Sequence, residues 1–145
     1  MNVMNELLAN IYEPWFNYTT HQDLLYSVYD QLDYQKIGIS LIVVTLLGLI
    51  IFYKFWDPVK SPLKKWLLTL LIIALIMFCI TYVILLNNIE ILQILGNYSG
   101  GSIEPNPQYF LIQMAGISFF YGLIFSTLLS FLIKYLSVAN KYNPF

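Results

Sequence analysis

Residues 66–86 read WLLTLLIIALIMFCITYVILL, a run without a single charged side chain. A hydrocarbon core about 30 Å thick needs roughly 20 consecutive apolar residues in a helix to cross it. Inside a bilayer the backbone groups must be hydrogen-bonded within the chain, and a helix satisfies all of them. This segment therefore predicts a transmembrane helix, with lipid as part of the protein's solvent.

Two further stretches meet the same requirement. Residues 37–56 and 109–136 are strongly apolar, and each carries a lysine only near its end. Charged residues make up 10% of the chain, whereas soluble domains carry about 25%. The sequence thus predicts an all-α integral membrane protein with three spans, an outer segment over residues 1–36 and an inner tail over residues 137–145.

The lysines and the acids are separated along the chain. Six of the seven lysines fall on one side of the spans, including Lys54 at the end of span one and Lys60, Lys64 and Lys65 in the next loop. Seven of the eight acids fall on the other side, with Lys36 alone among them. Lysine-rich short loops stay on the cytoplasmic side, so we expect an external N-terminus, an internal C-terminus and anionic lipid near the lysine loop.

The first residues show the periodicity of an amphipathic helix. Apolar side chains recur three and four positions apart at Met4, Leu7, Leu8, Ile11, Tyr12 and Trp15. Such spacing predicts one apolar helix face, which either lies in the membrane interface or docks on protein. Pro14 is expected to end the helix. The acids Glu6 and Glu13 and the lack of a basic start argue against a secretory signal or a transit peptide.

Helical patterns also continue outward from spans one and two. Residues 20–23, Thr-His-Gln-Asp, resemble a capping box, and an apolar stripe follows at Leu25, Val28, Tyr29 and Leu32. Without a breaker, one helix from His21 to Trp56 would be about 54 Å long. Residues 87–95 extend span two in the same way, with Gly96 as a C-terminal cap. We expect an outer helical hairpin whose stripe docks within this chain or on a partner.

The third span carries a row of small residues. Ser118, Gly122, Ser126 and Ser130 recur every four positions, and Ala115 and Gly116 extend the small patch outward. In lipid, rows of small side chains let two helix backbones approach closely. The row predicts a helix-packing interface, either within the chain or with another subunit.

The sequence offers no residues for chemistry. No Asp, Glu, Arg or His lies deep in a span, which argues against a pump or a proton channel. With one cysteine and one histidine no zinc set can form, and without arginine no guanidinium can recognise bases. We expect no catalytic, cofactor or metal site, and no nucleic-acid partner.

The leading functional hypothesis is a non-catalytic subunit of a larger inner-membrane complex whose partners are other membrane subunits. The setting would be a bacterial respiratory, secretion or motility machine, or a mitochondrial respiratory or ATP-synthase assembly. The alternative is a homo-oligomeric transport or holin-like pore, with Ser118, Ser126 and Ser130 facing its lumen. A membrane enzyme would require polar residues that converge at one depth, and none are found.

Overall fold

The computed structural model describes residues 3–55, 62–98 and 106–134. Within those ranges the chain forms helices and no strand. In chain order these are α1 (Val3–Tyr12), a 3₁₀ turn (Glu13–Trp15), α2 (Tyr18–Asp30), α3 (Asp33–Phe55), α4 (Pro62–Leu86), α5 (Ile89–Asn97) and α6 (Pro107–Lys134).

Helices α3, α4 and α6 are long and apolar enough to cross a bilayer. Their apolar stretches run over Asp33–Tyr53, Leu63–Leu86 and Pro107–Ile133, with mean hydropathies of 2.3, 2.9 and 1.9. The predicted all-α membrane fold with three spans is therefore confirmed. Two of the helices begin at a proline a few residues before the predicted start, since a proline in the first turn has no N–H that needs a partner.

The three long helices form a bundle in which α4 and α6 make the most extensive contact. Gly122 of α6 is the point of close approach, because a Cβ atom there would lie only 3.3 Å from the Ala74 Cα atom of α4. Close backbone approach at small residues is the usual way that helices associate in lipid. We call the end where α3 begins the acidic end, and the end where α4 begins the lysine end.

The helical character predicted for residues 21–36 is correct, but its continuity with span one is not. The helix is interrupted at Leu32, whose φ of 56° lies in the left-handed region. Residues other than glycine rarely adopt this backbone conformation. Asn5 of α1 supports this turn, since its Nδ2 donates to the Tyr29 carbonyl and its Oδ1 accepts from the Gln35 N–H. Because Asn5, which caps both helix ends, is far away in sequence, no local sequence pattern predicts the break.

A second break separates α4 from α5, where the sequence predicts one helix. Asn88 is the N-cap of α5, and its Oδ1 accepts hydrogen bonds from the Glu90 and Ile91 backbone N–H groups. Helix α5 ends at Asn97 with Tyr98 as its C-cap, so Gly96 lies inside the helix rather than after it. The predicted continuous helices are therefore wrong, because α2 and α5 are separate helices that contact α6 and each other as well as the spans they adjoin.

The start of α2 also differs from the predicted capping box. Its N-cap is Asn17, whose side chain accepts from the Thr19 N–H. Thr20 instead donates its hydroxyl to the Asn17 carbonyl. His21 has a non-helical backbone (φ −119°, ψ 16°), so the first turn is kinked away from the rest of α2. Asparagine is as favourable an N-cap residue as threonine, and here the upstream Asn17 is the N-cap of α2.

Helix α1 packs along the acidic end of the bundle, against α3 and α6. Leu8 sits on Gly38 of α3 so closely that any Cβ atom at Gly38 would collide with the leucine side chain. With α2, α5 and the 3₁₀ turn, α1 forms what we call the helical cap. The cap and the upper bundle share one core, which includes Tyr12, Leu25, Val28, Ile91 and Phe110.

Candidate functional site

The predicted small-residue row on α6 lies inside the chain. Ser118, Gly122, Ser126 and Ser130 are all buried within this single chain. The sequence left open whether the row contacts another helix of this chain or another subunit, and the structure places it against the chain's own helices. These serines are therefore not available to line a lumen between copies.

At the lysine end the row ties the three spans together. The Ser130 Oγ atom accepts a hydrogen bond from the Trp66 Nε1–H of α4 at 2.7 Å and lies 2.8 Å from the Tyr53 hydroxyl of α3. One small hydroxyl thus joins all three helices, and it allows two large aromatic rings to meet at one point.

At the acidic end the same helix holds α1. The hydroxyl groups of Ser118 and Tyr12 lie 3.1 Å apart. Tyr121 donates to the Ile11 carbonyl at 3.0 Å, and Gln113 donates to the Trp15 carbonyl at 3.1 Å. Carbonyls at a helix end have no partner within the helix, so α6 side chains satisfy the ends of α1 and of the 3₁₀ turn. Burial raises the pKa of the Tyr12 phenol above its ordinary range, and the Ser118 hydrogen bond opposes the rise.

A buried polar cluster joins α2, α3 and α5 beneath the helical cap. The Asp33 carboxylate, almost fully buried, accepts from the Asn88 Nδ2 atom at 2.7 Å and pairs with the Lys36 Nζ atom at 2.6 Å. Asn88 also donates to the Ser27 carbonyl at 3.2 Å. Because Asn88 also caps α5 and binds the Ser27 carbonyl of α2, the cluster fits a structural clamp rather than a reactive group.

The predicted docking stripe on α2 is mostly covered by this chain. Leu25 and Val28 are fully buried and Tyr29 is half-buried, all in the core shared with the bundle. Leu32 is 41% exposed, because the left-handed turn at this residue moves it off the stripe. The partner that the sequence required for this stripe is thus internal, apart from Leu32.

Three of the four lysines predicted to fix topology lie at the lysine end. Lys54 is in the last turn of α3, Lys64 is exposed and Lys65 is half-buried near the start of α4. Lys60 lies outside the described residues. Lys36, the lysine on the acidic side, is the ion-pair partner of Asp33.

The environment of Gly116 differs from that of the buried row, and the sequence analysis did not separate the two. Gly116 was grouped with the row, yet it lies two residues before Ser118, which is about 200° around an α-helix. In the part of the chain that the structure describes, no atom beyond its own helix backbone lies within 4 Å of the place where its Cβ atom would be. Its helical neighbours Ile112, Phe120 and Ile124 are exposed, with Phe120 64% exposed. We call these four residues the α6 outer face. Helical periodicity alone could have separated this face from the buried row.

Helix α1 presents a second exposed apolar surface. Its buried side consists of Asn5, Ala9 and Tyr12, and a line of large apolar side chains points away from the bundle at Val3, Leu7, Ile11 and Trp15. We call this line the α1 stripe. The indole Nε1–H of Trp15 donates to the Tyr121 hydroxyl of α6 at 2.8 Å, so the stripe adjoins α6. The predicted apolar face of α1 is thus divided. Leu8 and Tyr12 pack on the bundle, Met4 is half-buried, and Leu7, Ile11 and Trp15 are exposed.

Among the described residues no group of three or more His, Cys, Asp or Glu side chains is placed to hold a metal ion. The chain matches no protein family, no curated protein and no solved structure. The geometry of the exposed faces is therefore the basis for a functional assignment.

Proposed function

We propose that this protein is a non-catalytic subunit of a larger complex in an energy-coupling membrane. The α6 outer face would contact a helix of a neighbouring membrane subunit. Helices α2 and α5 of the helical cap would lie outside the bilayer, and α1 would lie at its interface. The observation that carries the proposal is Gly116, a half-buried glycine between exposed side chains of a transmembrane helix. Among the described residues, no atom beyond its own helix backbone lies within 4 Å of the place where its Cβ atom would be.

Glycine lowers the stability of a helix, but it allows a second helix to approach closely. A glycine in a helix is less favourable than alanine by roughly 0.5–1 kcal/mol. At Gly122 the close approach of Ala74 requires it, whereas at Gly116 the described residues supply no neighbour. In membranes, small residues flanked by larger ones are where another helix packs closely. Ile112 and Phe120, one turn to either side, form the walls of the notch.

The α1 stripe supports the same assignment. Exposed tryptophan and aliphatic side chains on an amphipathic helix place it in the interfacial region of the bilayer. Glu6 and Asn10 are exposed on another side of α1, where they can face water. In this position α1 would lie level with the upper α6 outer face, and a docked neighbour would contact both surfaces.

The pore alternative finds less support in the geometry. A lumen shared between copies requires a polar face on the outside of the bundle. The serines proposed to line it are buried against the chain's own helices, and the exposed side of α6 carries mainly large apolar side chains. A subunit role requires only an apolar face with a place for close packing.

Site-specific photo-crosslinking in native membranes tests the proposal. We expect p-benzoylphenylalanine at position 120 to give one discrete adduct, identified by mass spectrometry as a second membrane subunit. The matched control is position 75 of α4, because Leu75 is 50% exposed on a different helix. It should give no such adduct.

A packing variant completes the test. Gly116→Leu should release the chain from the complex in mild detergent while the isolated chain keeps its helical circular dichroism. Equal crosslinking from positions 120 and 75, or an intact complex with Gly116→Leu, would contradict the subunit role. An adduct of the chain with only itself would favour the homo-oligomeric alternative.

A further inference from the structure

A groove runs between α3 and α4 on the exposed side of the bundle. Its volume is about 310 Å³, and its walls are apolar. Val44, Leu47 and Ile51 line it from α3, and Ile72 and Ile76 line it from α4. Thr69 contributes a hydroxyl, which already donates to the Lys65 carbonyl of its own helix at 2.8 Å. The groove therefore offers contacts to a hydrocarbon and no hydrogen bond to a polar ligand.

The groove begins one helical turn from a lysine on the same face. Lys65, Thr69, Ile72 and Ile76 are spaced four, three and four residues apart, so they share one side of α4. The helix rises about 16 Å from Lys65 to Ile76. One leaflet of a bilayer's hydrocarbon core is about 15 Å thick. A chain that filled this groove would therefore start at the Lys65 level and end near the middle of the membrane.

The shape of the groove favours an acyl chain over a partner helix. A helix needs small residues in the facing wall to approach closely. The small residue here, Gly48, is covered by Ile73, whose Cδ1 atom lies 2.7 Å from where a Gly48 Cβ atom would be. A helix with its side chains is also about 10–12 Å across, far wider than a single hydrocarbon chain. At Gly116, in contrast, no side chain of the described residues covers the glycine in this way.

We propose that the α3–α4 groove holds one acyl chain of an anionic phospholipid whose phosphate is bound by Lys65. Basic residues beside grooves between transmembrane helices are a general means of holding anionic headgroups. Lys64 is adjacent in sequence, but it points about 100° away around the helix and contributes only to the general positive potential. This site is separate from the α6 outer face and does not depend on the chain's role in a complex.

Native mass spectrometry of the detergent-purified chain tests the site. The chain is mixed with equal amounts of phosphatidylglycerol and phosphatidylcholine that carry the same acyl chains. We expect retention of one phosphatidylglycerol in preference to phosphatidylcholine. Lys65→Gln should lower this preference about fivefold, which corresponds to about 1 kcal/mol for one lysine near an anionic headgroup. Lys64→Gln, the matched charge control, should change it less.

A second pair of variants separates the groove from the charge. Ile72→Trp should fill the groove and abolish retention of both lipids. Leu75→Trp, at a similarly exposed position of the same helix outside the groove, should retain them. Circular dichroism and size-exclusion chromatography establish that each variant is folded. Equal retention of the two lipids, equal effects of the two lysine variants, or lipid retention by Ile72→Trp would each overturn the proposal.

Discussion

The two faces of α6 use small residues in opposite ways. The buried row holds Ser118, Gly122, Ser126 and Ser130 against α1, α3 and α4 within one chain. The outer face holds Gly116 between large exposed side chains, with no neighbour at its Cβ position. A small residue in a membrane helix can be assigned to an internal or an external packing interface only when the surface opposite it is known. The buried row therefore explains how the chain folds, and the outer face is what remains for assembly.

Changing the buried glycine should give the largest effect. We expect Gly122→Leu to destabilise the isolated chain by about 1–3 kcal/mol or more, because overpacking displaces neighbouring groups and Ala74 presents backbone atoms there. Reversible unfolding in mixed detergent micelles, with sodium dodecyl sulfate as the denaturant, measures the free energy of unfolding. The same substitution at Gly116 is the matched control. Equal losses at both positions would erase the distinction between the two faces.

The Tyr12–Ser118 hydroxyl pair at the acidic end should make the stability of the chain depend on pH at high pH. Because burial raises the pKa of Tyr12, the folded chain keeps the phenol proton at pH values where the unfolded chain releases it. This contribution is fully present below pH 10.0, the ordinary pKa of the phenol. Above it, stability should fall by up to about 1.4 kcal/mol per pH unit. Comparison of wild type with Tyr12→Phe between pH 9 and pH 11 isolates it, and parallel curves would contradict it.

The hydroxyl at the lysine end should contribute less. Ser130→Ala removes the acceptor of the Trp66 indole and a partner of the Tyr53 hydroxyl. We expect a loss of about 1 kcal/mol, since interhelical hydrogen bonds in membranes average about 0.6 and reach about 1.7. A double-mutant cycle with Trp66→Phe measures the coupling. Thr127→Val is the control, because the Thr127 hydroxyl donates to the Leu123 carbonyl of its own helix and makes no other hydrogen bond within the described residues. A similar loss there would refute the special role of Ser130.

The smallest expected effect on folding has the opposite sign. Gly116→Ala should stabilise the isolated chain by about 0.4–1 kcal/mol, because alanine restricts the unfolded chain and nothing opposes its methyl group. Gly122→Ala should instead destabilise it. The same micelle titration compares the two variants. A destabilised Gly116→Ala chain would show that the outer face has an internal role after all.

The spans were predictable because their signal is local. A run such as residues 66–86 must cross a bilayer as a helix, whatever surrounds it. The breaks at Leu32 and Asn88 were not predictable in this way. Their stabilising partners are Asn5 and Asp33, which lie 24 and 55 residues away from the groups they bond. Local periodicity continues through both breaks. At Leu32 the distant Asn5 caps both helix ends, and at Asn88 the local N-cap is held in place by the distant Asp33.

From its residues alone, the chain can be assigned as a three-span helical membrane protein in which small residues on α6 take part in helix packing. The three-dimensional arrangement was needed to decide which of those residues are buried and which remain exposed. It also decided that α2 and α5 are separate helices that contact α6 and each other instead of continuing spans one and two. The physical reason is that hydropathy and residue size are properties of single positions. Burial and hydrogen bonding depend on the atoms that distant parts of the chain bring to those positions.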